Sequence, residues 1–321
     1  MKPLTHKDGV QIEITNYCIH ACSNCTRFCG SHQHHYYMDY DYFQKAVDSL
    51  EGYPRVIGIM GGEPLLHPEF ERLCNYLASK FPREQLGLWS TLPHGYEHHR
   101  EVICRTFGNI LLNDHTLPEV MHAPLLVGIE ELVKDKATMW QLIDNCWVQN
   151  AWSAAINPKG AFFCEVAAAR AILFDGADGW PLEKGWWKRI PAFYKEQMEE
   201  HCPGCGGALM LPARTSMDER DDISPKNLER LKGISRKVDR GEFVLFDTAK
   251  PIPILPSKYP PQEYKNGPYR QEVAARYGMF LVMSDRGFWD PYLKQTWTPG
   301  DAPLSHLVTI DPVKVQHGYV V

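Results

Sequence analysis

Three cysteines, Cys18, Cys22 and Cys25, stand at CxxxCxxC spacing near the start of the 321-residue chain. Three thiolates so spaced suit an iron–sulfur cubane whose fourth iron is left open to another ligand. Cys29 follows, and His20, His32, His34 and His35 lie close by. Zinc held by cysteine and histidine is therefore one alternative. A carrier cluster closed by Cys29 is another; the reading adopted leaves Cys29 an unligated loop thiol. A second set comprises Cys146 and Cys164, 17 residues between them, and then Cys202 and Cys205 as CxxC. Four thiolates would close a second cluster and leave no iron open, which suits electron transfer. The alternative is zinc or nothing at CxxC, with Cys146 and Cys164 as buried apolar residues. Cys74 and Cys104 fall in segments that read as helices.

The elements that must position these residues alternate. Val10–Ile14 reads as a strand running into the first cysteines. Asp39 is placed to cap a helix through Leu50, with Phe43, Ala46, Val47 and Leu50 on one face. A buried strand is expected over 55–60, a helix over 68–81, a strand over 86–89, a helix near 97–107 and a strand at 109–112. This β–α order implies a parallel sheet or barrel with right-handed crossovers, whose sites gather at the C-terminal strand ends. After about residue 140 the pattern breaks. A hairpin is expected over 154–164, turning at Asn157-Pro158-Lys159-Gly160. A helix over 191–200 leads into Cys202. Beyond 215 come a charged stretch, a helix over 225–236 and a Pro-rich segment over 250–261.

Gly61-Gly62-Glu63-Pro64 ends the second strand. Glycines there let the backbone approach a ligand, and the carboxylate and carbonyls can accept from an ammonium group. With CxxxCxxC one strand earlier, the pattern resembles the radical S-adenosylmethionine (SAM) superfamily and its GGEP motif. The resemblance implies SAM on the open iron of a [4Fe–4S] cluster held by Cys18, Cys22 and Cys25, and cleavage of SAM to a 5′-deoxyadenosyl radical. It implies cofactor contacts at Gly61, Gly62, Glu63, Pro64, Ser90, Thr91 and Asn113, the last within Asn113-Asp114-His115. The family usually has an aromatic residue before the third cysteine; Asn24 stands there, with Phe28 or Tyr17 as substitutes near the adenine.

Cys146, Cys164, Cys202 and Cys205, with Gly160 in the hairpin, resemble the SPASM auxiliary-cluster domain in its shortened twitch form, as in 2-deoxy-scyllo-inosamine dehydrogenase-type enzymes. The resemblance covers residues 10–206. Molybdenum-cofactor GTP cyclases fit less well, since they use three cysteines and a GGR tail, whereas this chain ends Gly318-Tyr319-Val320-Val321. The implied fold is α/β: a partial (β/α)6 radical SAM barrel over 1–140, a small twitch-like cluster domain with a hairpin and a helix over 141–214, and a C-terminal extension over 215–321. The implied cofactors are SAM, its three-cysteine [4Fe–4S] cluster and an auxiliary four-cysteine [4Fe–4S] cluster.

The expected reaction is oxidation of a sugar-like or cyclitol alcohol, with the auxiliary cluster as electron acceptor. Epimerisation or cross-linking of a peptide by the same radical chemistry is the competing expectation, with Cys29, Cys74 and Cys104 as candidate hydrogen donors. A two-cluster electron carrier is the third. A flavodoxin- or ferredoxin-type reductant is the expected partner. Trp180, Trp186, Trp187, Phe193 and Tyr194 are expected in the core rather than around a substrate. A net charge of −5 offers nothing to nucleic acid or anionic membranes. No apolar run approaches the roughly 20 residues needed to span a bilayer, and Met1–Gly9 lacks a signal-peptide core. A cytoplasmic protein is expected.

Overall fold

The computed structural model describes residues 1–113, 115, 120–151, 153–255 and 257. Strand β1 (Gly9–Glu13) is followed by α1 (Tyr40–Ser49), β2 (Val56–Met60), α2 (Phe70–Lys80), β3 (Leu86–Ser90), α3 (Arg100–Thr106) and β4 (Asn109–Leu112). The expected alternation is present, and β1 to β4 pair in parallel, each with the next. Local chemistry sets the helices. Asp39 accepts from the Tyr42 amide at 2.8 Å to start α1. Phe43, Ala46 and Val47, then Phe70, Leu73, Cys74 and Leu77 of α2, turn inward onto Val10, Ile12, Ile57 and Ile59. Each large apolar side chain so buried is worth about 1.5–3 kcal/mol. Cys74 and Cys104 are both core residues.

The other face of these strands is filled differently. Trp89 lies over Gly58, where a Cβ atom would fall 1.6 Å from the indole ring. Gln11 and Glu13 of β1 are as buried as Val10 and Ile12. Their alternation therefore separates a helix-packed face from a polar interior, rather than from water.

After β4 come β5 (Met121–His122), α4 (Ile129–Leu132), α5 (Lys136–Asp144) and α6 (Trp147–Ala151). The hairpin β6 (Ser153–Asn157) and β7 (Gly160–Phe162) then joins the main sheet, in the order β4-β3-β2-β1-β6-β7. This six-stranded, mostly parallel sheet fits the expected partial barrel, with its strands in a different order from a simple β–α succession. Among the described residues no strand extends the sheet beyond β4, and β6 instead runs parallel to the other edge of β1, Gly9 opposite Ser153. The sheet is mostly parallel, with β7 antiparallel at its margin. The hairpin turns where expected: Lys159 donates to Asn157 Oδ1 at 2.8 Å. Gly160 has φ 117°, and a Cβ there would meet the Trp180 carbonyl at 2.7 Å.

Next come α7 (Glu165–Leu173), α8 (Lys195–His201), β8 (Arg214–Thr215), β9 (Asp221–Ile223), α9 (Pro225–Leu231), α10 (Arg236–Asp239) and β10 (Phe243–Leu245). The helix expected over 225–236 is thus two short ones. Trp186, Trp187 and Tyr194 are buried, and Trp186 Nε1 donates to Ser49 Oγ at 3.1 Å. Phe193 is exposed. Residues 256 and 258–261 of the Pro-rich segment, and Gly318–Val321, lie outside the described residues. Among the described residues no helix is long and apolar enough to cross a membrane.

Candidate functional site

The first cysteines lie on the loop leaving the C-terminal end of β1, against the loop that ends β2. Gly62 N donates to Thr15 O and Glu63 N to Tyr17 O, each at 2.8 Å. The contact is backbone on backbone. A Cβ at Gly61 would lie 2.2 Å from Thr15 O, and one at Gly62 would lie 2.0 Å from Tyr17 O. The two glycines therefore position the residues immediately before Cys18. Pro64 opens the short turn that follows.

Sequence reasoning offers the Glu63 carboxylate to a ligand ammonium; the structure uses it internally. Oε1 accepts from Leu65 N and Ser90 Oγ, and Oε2 from Thr91 N and Thr91 Oγ1, at 2.6–3.1 Å. Four bonds fill a carboxylate's acceptor sites. Burial pushes the Glu63 carboxyl up and these four donors pull it back. Ser90, Thr91 and Glu63 thus lock the end of β3 to that of β2. Asn113 donates its amide to Ser90 O at 2.9 Å. Asp114 lies outside the described residues. The His115 ring stands 6.0 Å from that of His20 and 5.1 Å from that of His122.

Asn24, read as a cofactor contact, is held by two acidic residues from far along the chain. Its amide N donates to Asp221 Oδ1 at 2.7 Å and its Nδ2 to Asp222 Oδ2 at 2.8 Å, while its Oδ1 accepts from Asp222 N at 2.9 Å. Lys237, 1% exposed, donates to Cys22 O and Asp221 Oδ1, both at 2.9 Å. Ser31 Oγ also donates to Asp221. Residues 216–239 thus form a brace around the first cysteine loop. Phe28 is buried, and Tyr17 is partly exposed against the His35 ring at 4.6 Å.

The thiols of this loop gather, and Cys29 is among them. The neighbouring Cys18 and Cys25 thiols, with burial, hold Cys29 well above the usual thiol range, and Cys29 in turn pulls Cys25 below it. Cys22 is pushed up by burial and then by Cys25 and Cys18. Cys29, read as an unligated loop thiol, is buried.

The second set is brought together from four places in the chain. Cys146 follows α5, Cys164 caps α7, Cys202 ends α8, and Cys205 closes the turn after it. All four line one recess, partly open to solvent and otherwise mostly apolar, with Ile143, Val148 and Phe163 among its walls. Burial pushes Cys146 up to about 12 and Cys164 to about 11, and raises Cys202 and Cys205. Thiols so placed need a bound cation to become thiolates. Gly207 N already donates to Cys205 Sγ at 3.3 Å. Arg170 lines the same recess, and its Nε and Nη1 have no hydrogen-bond partner. An orphaned buried guanidinium fits an anionic group between the cysteines. Among the described residues, no three His, Cys, Asp or Glu side chains converge as ligands of one ion. A cubane instead gives each cysteine a different iron.

Between the two sets lies Arg27, 3% exposed. Its Nε is 2.5 Å from Glu13 Oε1 and its Nη2 is 3.2 Å from Glu165 Oε2. It also donates to Gln11 Oε1. Burial outweighs the attraction of a guanidinium shared between two carboxylates, and Glu13 is raised to about 7. Sequence reasoning missed this cluster; Gln11 and Glu13 in an otherwise apolar strand were its only trace.

No family model matches the chain, and no curated protein matches it. Among solved structures, BtrN in complex with AdoMet and 2-DOIA is similar at 13% identity and TM-score 0.43, over 62% of this chain and 92% of that one. BtrN in an open conformation is similar at 13% identity and TM-score 0.41, over 61% and 86%. At this level of likeness, the chemistry rests on the residues of this chain.

Proposed function

We propose that this protein is a radical SAM oxidoreductase, with Cys18, Cys22 and Cys25 holding a SAM-binding [4Fe–4S] cluster and Cys146, Cys164, Cys202 and Cys205 an auxiliary one. The observation that carries the reading is the seating of the CxxxCxxC loop at the end of β1 on the Gly61-Gly62 backbone. Such a seat supports a site for three thiols at the ends of parallel strands, where sites of this fold class form. When bound, the three-cysteine cluster supplies an electron that cleaves SAM to a carbon radical, and the four-cysteine cluster supplies an electron acceptor. The proposed net change converts an alcohol to a ketone: the C–H hydrogen leaves as an atom, the hydroxyl loses a proton, and one electron passes to the acceptor. A flavodoxin- or ferredoxin-type donor is the proposed reductant.

The chain's own residues orient and shield. Glu63 holds the β2 and β3 ends in register through Ser90 and Thr91. Asn24 and Lys237 hold the cysteine loop from the other side. Gln11, Glu13, Arg27 and Glu165 make a charge-matched interior between the two thiol sets.

One observation favours a second reading. Cys29 is buried and coupled electrostatically to Cys18 and Cys25, so a cluster closed by a fourth thiolate, and hence an electron carrier, is the rival. Anaerobic reconstitution, with iron and sulfide counts and an assay for 5′-deoxyadenosine after SAM and dithionite, separates the two. About eight irons per chain with cleavage is expected for two clusters. Full loading without cleavage would overturn the enzyme and leave the carrier.

A further inference from the structure

Arg170 is 1% exposed on a helix whose residues are nearly all buried. Two of its three guanidinium nitrogens have no hydrogen-bond partner, and it makes no ion pair within 4 Å of a described carboxylate, its face lying 4.7 Å from the Phe174 ring centre. The group reaches toward the turn between Cys202 and Cys205, where a Cβ on Gly204 would lie 2.4 Å from its Nη2. Two further polar atoms around the same recess, Gln149 Oε1 and His201 Nε2, are also buried without partners. On the other side, Lys7 is fully buried and donates to the carbonyl of Phe163, the residue before Cys164. Its ammonium stands 5.4 Å from the Phe163 ring centre and has no carboxylate partner among the described residues.

An unpaired buried cation costs several kcal/mol, and two beside four neutral thiols would be hard to sustain. Four thiolates around an oxidised [4Fe–4S] core carry a net charge of about −2, and about −3 after taking up one electron. Arg170 and Lys7 together supply the opposite charge.

We infer that Arg170, with Lys7 behind Cys164, is the counter-cation of the four-cysteine centre and raises its reduction potential, so that the centre takes up an electron rather than giving one away. The inference rests on the auxiliary-cluster reading. Both residues are positioning residues: they act on the reaction through the charge they place beside the centre. Cluster potentials follow net charge and the hydrogen bonds to sulfur, and a fixed cation favours the more negative state.

The test uses the full chain with Cys18→Ala, Cys22→Ala and Cys25→Ala, so that the remaining signal belongs to the second centre. Iron, sulfide and zinc are counted, and the midpoint potential is read by redox titration followed by electron paramagnetic resonance. Arg170→Gln is expected to keep its iron and shift the midpoint to a more negative value, while Arg170→Lys stays near the parent. Iron lost in Arg170→Gln but kept in Arg170→Lys equally supports the inference. Unchanged potentials in both variants, or iron lost from both, would overturn it. A parent that takes up zinc or no metal would instead sink the underlying cluster reading, and the inference with it.

Discussion

Arg27 and Glu165 form a buried ion pair at 3.2 Å that joins the two cysteine sets, since Arg27 lies two residues after Cys25 and Glu165 directly follows Cys164. Ser153 Oγ fixes the same carboxylate at 2.6 Å. The order of one thiol set is thereby coupled to that of the other through a single guanidinium. Arg27→Gln would leave Glu13 and Glu165 facing each other without a cation. A loss of about 3–5 kcal/mol is expected in urea unfolding, as for other buried pairs stripped of one partner. A loss under about 1 kcal/mol would mean that the pair does not hold the interior together.

Glu13 gives the fold a pH dependence of known sign. Its proton is held more tightly in the folded chain, with a value raised from 4.5 to about 7 by burial. The resulting stability is full below 4.5 and is lost as pH rises through about 7. Glu13→Gln should flatten that loss. Denaturant midpoints of the metal-free chain at about pH 5 and about pH 8 check this; equal slopes with pH in both proteins would refute it.

Gly62 has no room for a methyl group. Gly62→Ala would place carbon 2.0 Å from the Tyr17 carbonyl, so the backbone before Cys18 must move. The expected result is loss of about four of the eight irons, with the second centre intact. Iron analysis and spectra of the variant beside wild type decide it. Retention of all iron would show that the loop has slack.

Cys29 separates the enzyme from the carrier. Cys29→Ala is expected to keep about eight irons and to go on cleaving SAM, because three thiols suffice for a cluster with an open iron. A drop to about four irons would make Cys29 a ligand and favour the carrier.

The order of β1 through β4 was legible because its signals are local: Asp39 before an amphipathic run, Gly61-Gly62 after an apolar one. What escaped is what only folding brings together. Asn24 is matched to Asp221, 197 residues away, and nothing near either residue announces the other. Its place in the motif pointed to a cofactor, whereas its side chain serves the brace. Glu63 was legible as important but not as internally saturated, since Ser90 and Thr91 belong to a different strand. Arg170 sits in an alanine-rich helix, where a lone arginine reads as a surface charge, yet the helix is central and takes the arginine inside.

The docking of β6 on β1 has a consequence for dissection of the chain. β1 is paired along both edges, by β2 from Gly9 to Glu13 and by β6 from Gly9 to Ile12. A fragment ending before Ser153 would present four residues of unpaired amides and carbonyls from the middle of the sheet, apolar on one side. Such a margin recruits strands from other molecules. The first cysteine loop, cut from the hairpin, would thus be sought in aggregates rather than in a soluble half-enzyme.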